Sequence, residues 1–155
     1  WFIRIYIKKG KNLKVDKSVK NIIEEEIKFG LDKYVTYKKF GEKVYDIRNN
    51  VIENIKKLNK KYKKIVGYGS PAKATTALNF FGISQQIDFI IEDNALKHGK
   101  FIPGVKIPIV TKPKKLDNKT LVLVLAWNFF EEIKKNNDTL STNFINIKSL
   151  ETNKN

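Results

Sequence analysis

Hydrophobic and polar positions change their period along this chain, and the change divides it. Trp1 to Lys8 alternates imperfectly and is rich in aromatic and β-branched residues, which predicts a strand. No hairpin partner follows it, so the strand is expected to pair outside the sheet formed later in the chain. Gly10 to Asp16 is polar and predicts a loop. From Ser18, a candidate helix cap, Val19, Ile22, Ile23 and Ile27 fall on helical spacing as far as Phe29, with Glu24 to Glu26 on the outer side. Gly30 ends that helix. A long helix follows from near Asp32 to about Tyr62, its stripe formed by Phe40, Val44, Ile47, Val51, Ile55 and Leu58. Gly41 is expected to kink or break it near its start.

Beyond residue 63 the pattern shortens into apolar runs separated by glycine and proline. Ile65-Val66 leads into Gly67, Tyr68, Gly69, Ser70 and Pro71, and a helical pattern with Ala74, Ala77, Leu78 and Phe81 on one face runs to Gly82. Ile87 to Ile91 predicts a buried strand ending in Glu92-Asp93-Asn94. Asn94 to Gly104 is a loop, and Val105 to Val110, interrupted by Pro108, suits a sheet edge. Thr120 to Ala126 is a continuous apolar run of the kind found in a central parallel strand. Asn128 is placed to cap a helix from Phe129 to about Asn136, Phe144 to Ile147 is a last short strand, and the tail after Leu150 is polar. The order β-α-β-β-β-α-β predicts an α/β fold: a Rossmann-like, mostly parallel five-stranded sheet flanked by helices, preceded by an N-terminal strand and two helices. The expected strand order is Phe144, Leu123, Val66, Phe89, Ile109. Residues 1–62 form the leading segment, 63–150 the Rossmann-like domain and 151–155 a frayed tail.

The glycine turn carries the candidate chemistry. A helix start exposes unpaired N–H groups and the positive end of the helix dipole, so it receives anions, phosphate above all. Pro71 suits the first helical position and Ser70 the cap. Lys73, one turn in, adds charge. The spacing matches G-x-G-x-x-G with Ala72 as the alanine variant, and about twenty residues on comes Glu92, where a βαβ nucleotide fold places a ribose-binding acid. The longer Walker spacing is absent. The plainer reading is a tight turn that binds nothing. Three strand ends should converge at the binding crevice: Gly67 to Lys73, Glu92 to Asn94, and Ala126 to Asn128.

Composition removes other classes. Among 155 residues there is no cysteine, and His98 is the one histidine, which excludes disulfides, thiolate zinc sites and multi-histidine metal sites. His98 reads as an exposed loop residue rather than a catalytic one. No apolar run reaches membrane-spanning length and no signal peptide is visible, so a cytoplasmic chain is expected, with no membrane partner. The chain has no methionine, and Trp1 opens inside an apolar alternation; both suggest a piece of a longer protein. The net charge of +15 raises nucleic acid as a partner. However, Arg4 and Arg48 are the only arginines, and the lysines are scattered rather than gathered on one element, which favours a solvated surface. Lysines 56, 57, 60, 61, 63 and 64 read the same way, at a helix C-terminus.

At the three strand ends, GYGSPAKATTALNFFGI, IIEDNALKHGKFIPGVKIPI and LVLAWNFFEEI, the chain resembles the C-terminal domain of S-adenosylmethionine-dependent C-methyltransferases acting on nucleotide-linked deoxysugars. That family's pattern is close to G-Y-G-A-x-A-K-G-x-T-x-L-N, V-D-x-N-P-x-K-x-G-x-x-x-P-G and L-x-x-x-W-N, and the likeness covers nearly the whole chain. It implies a domain that holds a sugar nucleotide and does not catalyse alone. It implies no cofactor on this chain, with S-adenosylmethionine and zinc bound by upstream domains of the same protein. Matched by position, Tyr68, Gly69, Ser70, Ala72 and Lys73 fall on the glycine loop. Glu92 falls on the acid; Asn94, Lys97, Gly99, Pro103 and Gly104 on the following loop; Trp127 and Asn128 on the last motif. Ala74 departs from a common glycine and Ala95 from proline. A dinucleotide-binding domain or sensor of the NAD type is the alternative reading.

Overall fold

A computed structural model describes residues 3–10 and 14–152, which form two compact units, Trp1–Glu42 and Lys43–Asn155. In the first unit, residues 3–10 carry no regular secondary structure; Trp1 and Phe2 of the predicted strand lie outside the described residues. Alternation alone does not make a strand. Its backbone groups need a ladder partner, and this stretch has none among the described residues. Helix α1 spans Lys17–Phe29. It starts two residues earlier than predicted, so Asp16 takes the cap position in place of Ser18. The Asp16 carboxylate accepts from the Ser18 N–H at 2.8 Å and from the Ser18 hydroxyl at 2.5 Å. Gly30 closes α1 as expected. No residue of α1 is buried, and its apolar stripe, Val19, Ile22, Ile23 and Ile27, is exposed.

Helix α2 spans Tyr34–Lys61 and passes through Gly41 without a break. A mid-helix glycine costs about 1 kcal/mol relative to alanine, too little to end a helix of 28 residues. Its later turns, from Ile47 to Leu58, turn their stripe onto the second unit's core.

The second unit contains β1 (Lys64–Tyr68), α3 (Ala72–Phe81), β2 (Ile90–Ile91), β3 (Ile109–Val110), β4 (Thr120–Val124), α4 (Phe130–Asn136) and β5 (Phe144–Asn146). The sheet order is β3-β2-β1-β4-β5 and every pairing is parallel. This is the predicted order, with β4 beside the central β1 and β3 at an edge. Side chains alternate across the sheet. Ile65, Leu121 and Leu123 face a layer that includes Val51 and Ile55 of α2 and Ala74 and Leu78 of α3. Val66, Tyr68, Val122 and Val124 face the other way, toward Leu140, with Phe130 and Ile133 of α4 partly buried there.

Two strands are shorter than their apolar runs. Before β2, Ser84–Gln86 forms a 3-10 turn. Before β3, the chain folds back so that Phe101 and Pro108 form an antiparallel bridge. Ladder length is thus set by where the neighbouring backbone lies. The segment after Leu150 is also better tied than predicted. Asn54 donates to the carbonyls of Leu150 and Thr152, and Asn50 to that of Glu151; residues 153–155 lie outside the described set.

Gly67, inside β1, leaves room for its neighbours. A Cβ there would sit 2.8 Å from Ile90 Cγ1 and 3.0 Å from Leu125 Cδ1. Gly67→Ala should therefore lower the unfolding free energy by about 1–3 kcal/mol, the usual cost of overpacking. Urea denaturation measures it, and an unchanged midpoint would show that the layer yields at no cost.

Candidate functional site

Parallel pairing brings the carboxyl ends of β1, β2 and β4 to one edge. At that edge β1 gives way to Gly69, whose φ of 82° belongs to the left-handed region that glycine enters without penalty. The turn is wedged between its neighbours. The Gly69 N–H donates to the Ile91 carbonyl at 2.8 Å, and the Leu125 N–H donates to the Tyr68 carbonyl at 2.9 Å. A Cβ on Gly69 would meet the Ala126 Cβ at 2.9 Å.

The predicted cap is rearranged. Pro71 occupies the cap position of α3 and supplies no side-chain bond, while Ala72 is the first helical residue. Ser70 turns toward Glu92 instead. Glu92 Oε2 accepts from the Ser70 N–H at 2.9 Å, from the Ser70 hydroxyl, and from Lys97 Nζ at 3.2 Å; Oε1 accepts from the Asn94 N–H at 3.1 Å. Lys97 also donates to the Ser70 carbonyl at 3.0 Å. His98 is half-buried rather than exposed, and its Nε2–H donates to the Glu92 carbonyl at 2.7 Å. Asn94 Oδ1 caps the 3-10 turn Ala95–Lys97 through the Leu96 N–H. Burial on its own would raise the Glu92 pKa, but the donors from Ser70, Asn94 and Lys97 outweigh it and bring it down to about 2.

Across the crevice, Trp127–Phe129 forms a 3-10 turn and α4 begins at Phe130. Asn128 is exposed within that turn and does not cap α4; Phe129 stands in the cap position. Lys73 Nζ sits 4.2 Å from the centre of the Trp127 ring, a cation–π contact between the first turn of α3 and the end of β4. Motif residues further off bind one another: Asn79 Nδ2 donates to the Pro103 carbonyl at 3.0 Å and to the Thr75 carbonyl at 2.8 Å.

The candidate residues therefore divide. Tyr68, Gly69, Ser70, Glu92, Asn94 and Lys97 are joined to one another or to nearby backbone, whereas Ala72, Lys73, Trp127 and Asn128 border the open side. Sequence reasoning missed a second set around the Tyr68 hydroxyl: Asp93, Lys112 and Asn137. The one signal for it was a tyrosine in an otherwise apolar strand, since a buried hydroxyl requires a partner. Burial first, then the hydrogen bond to Asp93, pushes the Tyr68 pKa well above its ordinary value, so the hydroxyl keeps its proton and donates. Among the described residues no group of three or more His, Cys, Asp or Glu is arranged to hold a metal ion. No described helix is long and apolar enough to cross a membrane.

The profile of the C-methyltransferase C-terminal domain family matches residues 2–146. The C-methyltransferase NovU of Streptomyces niveus is 30% identical over 118 residues, which is 75% of this chain and 28% of that relative. The chain thus spans little more than a quarter of the length of the curated relative it matches.

The clasp at Glu92 has a pH signature. Its folded pKa lies below the ordinary 4.5, so its contribution is fully present above about 4.5 and is lost as pH falls toward about 2. Glu92→Gln should cost at most about 3 kcal/mol at neutral pH, by the shift-to-energy conversion. The gap between variant and parent should close on acidification through that window. Parallel chemical denaturation of the two proteins at several pH values measures it; a gap independent of pH would mean that Glu92 acts by shape alone.

Proposed function

Because this chain belongs to the C-methyltransferase C-terminal domain family, we propose that it is the part of a C-methyltransferase that holds a nucleotide-linked sugar and does not transfer the methyl group by itself. The observation that carries this reading is the first turn of α3, opening where three strand ends meet. Early N–H groups of a helix have no carbonyl partner within it. The Ser70 N–H is taken by Glu92, so the diphosphate is assigned to the N–H groups of Ala72 and Lys73, with the Lys73 ammonium as counter-charge. Trp127 holds that ammonium beside the turn. Asn94 and Asn128, both exposed, are assigned to polar groups of the ligand. Tyr68, Gly69, Ser70, Glu92 and Lys97 act by shaping the turn.

The same reading assigns S-adenosylmethionine and zinc to other parts of the whole protein, with the methyl-donor domain as this chain's partner. This chain has no cysteine for zinc.

Calorimetry on this chain with dTDP-glucose, UDP-glucose and NAD tests the reading. A sugar nucleotide should bind, and Lys73→Ala should weaken it by about 1.5–3 kcal/mol, the range for a hydrogen bond to a charged group. Binding of NAD alone would favour a dinucleotide-binding domain. Equal binding by parent and Lys73→Ala would remove the phosphate from the α3 turn.

A further inference from the structure

On the sheet face away from α3, the Tyr68 hydroxyl lies 2.8 and 3.0 Å from the two carboxylate oxygens of Asp93 and 3.2 Å from Asn137 Oδ1. Lys112 Nζ lies 3.4 Å from Asp93 Oδ1 and 3.1 Å from Asn137 Oδ1. Asn137 is 4% exposed and anchored by its amide to the Ile133 carbonyl at 2.7 Å. These four side chains border a cleft of about 380 Å³, which Phe129 and Glu132 also line.

The chemistry of the cleft is selective. Its charges are Asp93 and Glu132 against Lys112, a net of −1 on a chain of net charge +15. An anion is therefore poorly matched there. Two polar groups retain capacity. A carboxylate offers about four lone-pair sites, and the protein's contacts leave part of Asp93 open, its side chain 61% exposed. An ammonium has three donors, of which Lys112 uses two, on Asp93 and Asn137. Acceptor and donor stand side by side, so one hydroxyl can give its proton to Asp93 while its neighbour accepts from Lys112. Phe129, 59% exposed, offers an apolar wall. The volume is at the low end for small-ligand pockets, suited to a single ring.

We infer that this cleft binds the vicinal diol of a sugar ring, with Asp93 and Lys112 as its hydroxyl-recognising pair. The inference rests on the sugar-nucleotide reading above, because Asp93 follows directly on Glu92 of the α3 turn's clasp. A ribose and a glycosyl group offer the same chemistry. Three probes separate them: dTDP, which has no vicinal diol; UDP, whose diol is on the ribose; and dTDP-glucose, whose diols are on the glycosyl ring.

The experiment is a titration of the ¹⁵N-labelled chain with each probe, followed by amide chemical shifts. The amides of Asp93, Lys112, Phe129 and Asn137 should move with UDP if the ribose enters the cleft, or with dTDP-glucose if the glycosyl ring does, and stay still with dTDP. Asp93→Asn, which keeps the side chain's size, should weaken the responding probe by about fivefold or more, as for a lost hydrogen bond, and leave dTDP unchanged. The unaltered remainder of its spectrum would show that the variant is folded. Shifts confined to residues 69–73 with all three probes, or equal movement in the cleft with dTDP, would overturn the diol assignment and leave the diphosphate reading standing. No shift at either place with any probe would overturn both.

Discussion

The pairing of β1 with β4, in register through five consecutive positions and buried on both faces, is the constraint to which the second unit answers. Parallel neighbours cannot be joined by a tight turn, so each connection must cross over the sheet. An apolar strand buried on both sides also needs cover on both sides. The result is a sheet with α2 and α3 on one face and α4 on the other, its carboxyl ends all at one edge. The Gly69 turn, the acids after β2 and Trp127 meet there because the ladder leaves them nowhere else to go.

At that edge the protein uses an anion of its own. Glu92 takes the Ser70 N–H and hydroxyl and draws in Lys97, so part of the turn's donor capacity is spent internally. Burying a carboxylate would be costly without these donors. With them it orders the turn that leads into α3, and a turn already ordered loses less freedom when it meets a ligand. Lys73 is left as the cation of the first helical turn outside this clasp, and its partner is an aromatic face rather than a carboxylate. Among the described residues no carboxylate neutralises its charge.

Adjacent acids at the end of β2 have opposite fates. Glu92 joins the clasp with Ser70 and Lys97, whereas Asp93 reaches Tyr68 and Lys112 on the sheet face away from α3. Successive side chains along extended backbone leave on opposite sides, so one pair of residues serves both faces of the sheet. Tyr68 works in the same two-sided way. Its carbonyl belongs to the ladder with Leu125 and its hydroxyl to the cluster with Asp93 and Asn137.

Hydrophobic period is a local property, and what it governs was legible in the sequence. The stripes of α1 and α2, the apolar runs of β1 and β4, and the glycines that end α1 and α3 follow from spacing alone. So did the strand order, because chain crossing and handedness leave few arrangements for alternating strands and helices. What required a partner did not. Residues 3–8 alternate like a strand but find no ladder among the described residues, and β2 and β3 are only as long as the backbone beside them permits. Ser70 could cap a helix or bind Glu92; the choice fell to a carboxylate 22 residues away. Asn137 meets Tyr68 across 69 residues, and no spacing rule connects them. Period and turn chemistry act within a few residues and belong to the sequence; side-chain direction at the site depends on which distant groups the packed sheet brings within hydrogen-bond reach, and only the tertiary structure decides that.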